Sequence, residues 1–221
     1  MRFVPRFTDG REFPEPLGKI VCVGRNYAEH AREMDSPVPD EPLLFLKPAT
    51  SAVDMEAVIE APFTWGEVHY ETELALLIGE PLSDAAPDLA ERAIVGLGLA
   101  LDLTLRDVQT RLKDKGHPWE IAKAFDGACP LSAFLPLVEA PNWSALEFDL
   151  AVNGEPRQHG LGAEMLFSVP VLVAEMSRHF TLLPGDVILT GTPAGVGELP
   201  RGASLDLQMT GGLHIQTRVA E

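Results

Sequence analysis

Three carboxylates stand where the chain is otherwise apolar. Glu71 and Glu73 lie in VHYETELALLIG, and Asp102 ends IVGLGLALD. Alternate residues of a strand share a face, so Glu71 and Glu73 are expected to project together. The segments after Glu73 and before Asp102 are nearly continuous in apolar residues, which predicts buried strands. Ionised acids gathered there repel one another and lose hydration. They must be protonated, paired with a cation or bound to a metal. All three are hard oxygen donors with no His or Cys at matching spacing, which favours Mg2+ or Mn2+ over Zn2+. The plainer reading is an edge strand whose acids meet solvent, Lys or Arg, and the spacing alone leaves both open.

Other residues offer complementary chemistry. His30 and Glu33 are three apart on a predicted helix and share a face. A carboxylate beside an imidazole orients it and raises its basicity, as a general base requires; the alternative is a solvated surface pair. Lys47 and Lys123 sit in apolar context, LLFLK and IAKAF, and either snorkel to water or meet a substrate carboxylate or oxyanion. Arg106 and Gln109 share a helix face just beyond Asp102. The run LTGTPAGVGEL (189–199) lacks the GK[ST] of a nucleotide loop. Its glycines, with Thr190 and Thr192, either make a tight turn or let backbone approach a small anion. The remaining histidines, His69, His117, His159, His179 and His214, show no metal spacing and read as structural or exposed.

The elements that must position these groups are legible in outline. KIVCVG (19–24) reads as a short buried strand, with Cys22 a buried thiol. Asn26 and Glu29 resemble a capping box for a helix running to about Met34. SPVPDEP (36–42) is a proline-rich acidic loop, and PLLFLK a strand stopped by Pro48. Strands near 68–78 and 94–101 flank a helix in 84–93. Thr104 looks like the N-cap of the next helix, with Asp107 at N3 and Gly116 past its end. Asn153-Gly154 marks a hairpin. Residues 170–180 are helical after Ser168, Pro184-Gly185 turns into the strand DVILT, and the last strand lies near HIQTRVA. Strands outnumber helices, so the expected class is α+β and β-rich. Residues 1–17 read as an arm and 18–221 as one catalytic domain.

Bulk properties narrow the function. The 221 residues are 46% hydrophobic, with a mean hydropathy of +0.07, as for a compact globular chain. A net charge of −16, from 17 basic and 33 acidic residues, disfavours nucleic acid and acidic membrane surfaces as partners. An anionic substrate then needs a local basic pocket. Cys22 and Cys129 have no paired spacing, no apolar run approaches a membrane span, and no signal segment opens the chain. The expected location is the cytoplasm.

Taken together, VGRNYAEHAREM, PLLFLKPATSAV, HYETELALLIG, LDLTLRDVQ, KGHPWEIAKAFDGACPLSAF, VNGEPRQHG, MLFSVPVLV and LLPGDVILTGTPAGVG resemble the fumarylacetoacetate hydrolase family. They cover most of residues 18–199, and the match is best to the short, single-domain acylpyruvases. The resemblance implies a rolled mixed β-sheet with flanking short helices, a Mg2+ or Mn2+ site and a homodimer. It assigns the metal ligands to Glu71, Glu73 and Asp102, and the catalytic pair to His30 and Glu33. Lys123 falls on the oxyanion-supporting lysine, and Lys47, Arg106, Gln109 and Thr192 fall on substrate contacts. Longer members have a fourth acidic ligand, whereas Val21–Tyr27 here holds no acid, so the implied site has three carboxylates and open positions. The expected reaction is hydrolysis of a carbon–carbon bond in a 3-acylpyruvate of the fumarylpyruvate or acetylpyruvate type, a step of aromatic catabolism. The alternative is decarboxylation or tautomerisation of oxaloacetate or a related oxo-dicarboxylate. His30–Glu33 favours hydrolysis on this reading, as a base for the attacking water.

Overall fold

The computed structural model describes residues 3–33, 38–139 and 141–221. In chain order the elements are β1 (Ile20–Gly24), α1 (Ala28–Glu33), β2 (Leu43–Lys47), β3 (Ala52–Asp54), β4 (Val68–Tyr70) and β5 (Thr72–Ile78). Then come α2 (Pro87–Arg92), β6 (Ile94–Leu101), β7 (Thr104–Leu105), α3 (Arg106–Asp114), α4 (Glu120–Lys123), β8 (Cys129–Leu131) and β9 (Leu135–Pro136). The chain closes with β10 (Glu147–Val152), β11 (Glu155–Leu161), α5 (Val169–His179), β12 (Val187–Leu189), β13 (Gly197–Glu198), β14 (Ser204–Met209) and β15 (Leu213–Arg218).

The principal sheet runs β2-β1-β12-β5-β6-β8-β3, with β9 also on β6. It is mixed: β1 with β12 and β3 with β8 are parallel, the other pairs antiparallel. A four-stranded antiparallel sheet, β11-β10-β14-β15, and a small sheet, β13-β4-β7, complete a curled, strand-rich architecture with few short helices. The apolar runs follow from burial on both faces. In β1, Val21 and Val23 enter one core and Ile20 and Cys22 the other. In β5, Leu74, Leu76 and Ile78 oppose Ala75 and Leu77 in the same way. Such two-sided strands need no polar alternation. Gly98 of β6 permits close layering: a Cβ there would lie 2.7 Å from Ser132 Oγ.

Several local expectations give way to tertiary contacts. Thr104 is not an N-cap but a β7 residue whose hydroxyl donates to the Asp102 carbonyl at 3.1 Å. Helix α3 starts at Arg106 with no side-chain cap. Asn26 does not cap α1 either. Its amide donates to the Phe167 and Thr190 carbonyls, and its Oδ1 accepts the Phe167 N–H. An asparagine with two long-range partners satisfies buried backbone that a cap would leave unpaired. The expected helix end at Met34 and part of the 36–42 loop lie outside the described residues. No helix among the described residues is long and apolar enough to cross a membrane.

Candidate active site

The sheet brings the three acids together from two neighbouring strands. Glu71 sits in the break between β4 and β5, Glu73 lies in β5, and Asp102 follows β6. The Asp102 N–H bonds the Glu71 carbonyl at 2.8 Å, which locks the two chain segments side by side. All three side chains are buried, and one carboxylate oxygen from each lies within 4.8 Å of the others.

Cations surround part of this cluster, which the sequence did not disclose. Lys123 Nζ donates to Glu71 Oε2 and to Asp102 Oδ2, each at 2.7 Å. Arg106 bonds Glu71 Oε1 and reaches Gln109 Oε1 at 2.8 Å. Burial alone would raise Glu71, but Lys123 and Arg106 outweigh it and hold this acid far below the usual carboxylate range. Among the described residues, Glu73 has no such cationic partner. It accepts the Gly191 N–H at 2.6 Å, while burial and the charges of Asp102 and Glu71 push its pKa well up. Gly191 has φ of +90°, and a Cβ there would lie 2.7 Å from that of Asn26, so glycine alone suits this turn.

Lys47 belongs behind the site rather than on the pocket wall. It is fully buried, and its ammonium donates to the Lys123 and Ala128 carbonyls. It also lies 2.8 Å from Asp102 Oδ1. That contact is an ion pair without an aligned hydrogen bond, so among the described residues Oδ1 is a buried acceptor with no hydrogen-bonded donor. A hard three-carboxylate set with one such acceptor and a carboxylate lacking a cation fits a divalent ion. Glu71, Glu73 and Asp102 would hold it.

The other predicted residues gather around the same pocket. His30, Arg106, Gln109, Lys123 and Thr192 line it with the three acids. Glu33 stands behind His30, its Oε2 3.4 Å from Nδ1. That leaves Nε2 as the ring nitrogen available to a ligand. Burial pushes the His30 pKa below its ordinary value, against the upward pull of Glu71 and Glu33. Thr192 donates its hydroxyl to the Thr72 carbonyl at 2.9 Å and accepts from Gln158 at 2.7 Å.

Sequence reasoning missed Arg25, Phe45, Lys113 and Trp119 on the pocket wall, and Gln158 beneath it. Lys113 carried a usable signal, being one turn beyond Gln109 on the face already assigned to the ligand. Gln158 carried none: it sits in a hairpin strand, and its amide bonds Thr72 N–H, Thr192 and the Pro193 carbonyl only through the fold.

A model of the fumarylacetoacetate hydrolase C-terminal domain matches residues 19–220. Oxaloacetate tautomerase YcgM of Escherichia coli is 51% identical over 89% of this chain and 90% of its own. The human mitochondrial oxaloacetate tautomerase FAHD1 is 45% identical over 87% of each. Fumarylpyruvate hydrolase from Pseudomonas aeruginosa, solved with Mn2+ and pyruvate, superposes with a TM-score of 0.92. It is 36% identical, over 99% of this chain and 96% of that one. The hydrolase expectation is therefore corrected, because the more similar relatives carry the tautomerase name and the hydrolase is the more distant protein. The inference from His30–Glu33 failed because a base is as necessary for moving a proton off carbon as for activating water. With its buried acids, curled mixed sheet and near full-length matches, the chain belongs to the fumarylacetoacetate hydrolase family.

Proposed function

We propose that this protein is an enzyme that interconverts the keto and enol forms of oxaloacetate, a small 2-oxo dicarboxylic acid. One observation carries the reading: a buried imidazole, backed by Glu33, faces a pocket that also holds three acids and several cations. The names of the relatives at 51% and 45% identity support it. Mg2+ is the proposed resident ion, with Mn2+ able to replace it, and it would supply Lewis acidity to the 2-oxo group.

The chain's own residues account for the proton transfer. Burial keeps His30 neutral near pH 7, and Glu33 accepts its Nδ1–H, so Nε2 presents a lone pair. Nε2 takes a proton from C3, the C2–C3 double bond forms, and negative charge moves to the C2 oxygen. Lys123 and Arg106 stabilise that charge. The imidazolium then returns the proton to the C2 oxygen, so no net acid or base is consumed. Gln109, whose Oε1 accepts from Arg106, turns its amide N–H to the acid beside it. Loss of the enol's ultraviolet absorbance, with and without EDTA, tests the reading. Metal-dependent acceleration of that loss supports it; a rate equal to that of buffer containing the same metal refutes it.

A further inference from the structure

Helix α3 presents Arg106, Gln109 and Lys113 at intervals of three and four residues, which aligns them along one face. At about 1.5 Å of rise per residue, Lys113 stands ~10 Å further along the axis than Arg106. Arg106 and Gln109 are engaged at the Glu71 end. Lys113 occupies the other end of the row, with Nζ 5.6 Å from the centre of the Trp119 ring. Arg25 joins it on the same pocket wall. Arg25 has φ of +61°, a left-handed backbone uncommon outside glycine, and it follows directly from the strand that carries Val23 and Gly24 into the wall.

Among the described residues, neither Arg25 nor the Lys113 ammonium has an acidic partner. The chain carries 33 acids against 17 bases, so unpaired cations converging on one pocket are not its average surface. Burial, together with Arg25 and Arg106, holds Lys113 below its usual pKa. An anion between them would relieve that crowding.

We propose that Arg25 and Lys113 bind the second carboxylate of a 2-oxo dicarboxylate, the end remote from the 2-oxo group, and so select dicarboxylates over 2-oxo monocarboxylates. The inference rests on the oxaloacetate reading for its substrate. Arg106, Gln109 and Lys123 then hold the 2-oxo acid end, and the charged row along α3 reads the molecule from one carboxylate to the other.

Malate and lactate test this directly, being stable 2-hydroxy analogues that differ by that one carboxylate. Their affinities are measured by calorimetry on the Mn2+-loaded protein, for wild type, Lys113→Met, Lys113→Arg and Arg25→Met. Wild type should favour malate. Lys113→Met and Arg25→Met should each weaken malate by about tenfold or more, on the scale of a lost charge-assisted bond. Lactate should change by less than about twofold, and Lys113→Arg should retain most of the malate affinity. Equal weakening of both ligands, no weakening, or a wild type indifferent to the extra carboxylate overturns the proposal. Oxaloacetate turnover is followed in parallel. A malate preference that depends on Lys113, without turnover, removes the tautomerase reading but keeps the carboxylate site. Turnover without that preference removes the site alone.

Discussion

The Glu33 carboxylate accepts the Gly195 N–H at 3.1 and 3.2 Å through its two oxygens. The same group lies 3.4 Å from His30 Nδ1. One acid thus ties α1 to the glycine-rich turn after β12 and fixes which imidazole nitrogen faces the pocket. His30 and the turn that binds Glu73 are thereby held in one frame.

That relationship sets a pH profile. In the proposed reaction His30 works in its neutral form, and burial lowers its pKa. The rate should therefore be flat above that lowered value and fall as pH drops through it, giving an acid limb below about 6.5. Glu33 pulls the His30 pKa upward, so Glu33→Gln should move the limb further to acid and lower the plateau. Measured kcat/KM against pH decides this. A limb that moves upward on Glu33→Gln contradicts the assignment.

The acidic cluster predicts metal binding that can be measured without turnover. Glu73→Gln should weaken Mn2+ by at least about tenfold, or ~1.4 kcal/mol, in calorimetry. Unaltered affinity would mean that Glu73 is not a ligand.

Lys47 makes a different prediction from its neighbours on the pocket wall. Removing one partner of a buried ion pair typically costs about 3–5 kcal/mol. Lys47→Met should therefore lower folding stability on that scale in urea titrations. A stable variant with only a raised KM would return Lys47 to a substrate role.

Gln158 is the corresponding test beneath the turn. Its amide satisfies a buried backbone N–H, a hydroxyl and a carbonyl. Gln158→Ala should cost about 2–4 kcal/mol, since each stranded buried group costs about 1–3. A loss below about 0.5 kcal/mol, the range of ordinary surface substitutions, would show that water replaces the amide.

What the sequence discloses follows the range of the interactions. Local periodicity exposes β5, β6 and α3, and the E-x-E spacing places Glu71 and Glu73 together. The partners of those acids are long-range: Lys123 reaches Glu71 across 52 residues and Gly191 reaches Glu73 across 118. No spacing rule encodes such pairs, so the spacing leaves open which cations meet the acids. Asn26 and Thr104 depart from their local motifs for the same reason. Each has a good local motif, and each spends its side chain on a contact that only the fold provides. Reaction type was hidden differently, because one His–Glu pair serves both hydrolysis and tautomerisation.

The most direct test of the central claim is deuterium entry at C3 of oxaloacetate in D2O with the Mg2+-loaded protein, followed by proton NMR. Wild type should speed C3 exchange above the rate in buffer with the same metal. His30→Gln should reduce the enzymatic part by about 10²-fold or more, the usual scale for a lost general base, while Mn2+ affinity stays within about twofold. Exchange by His30→Gln equal to that of wild type would contradict the account, because the proton would then move without His30.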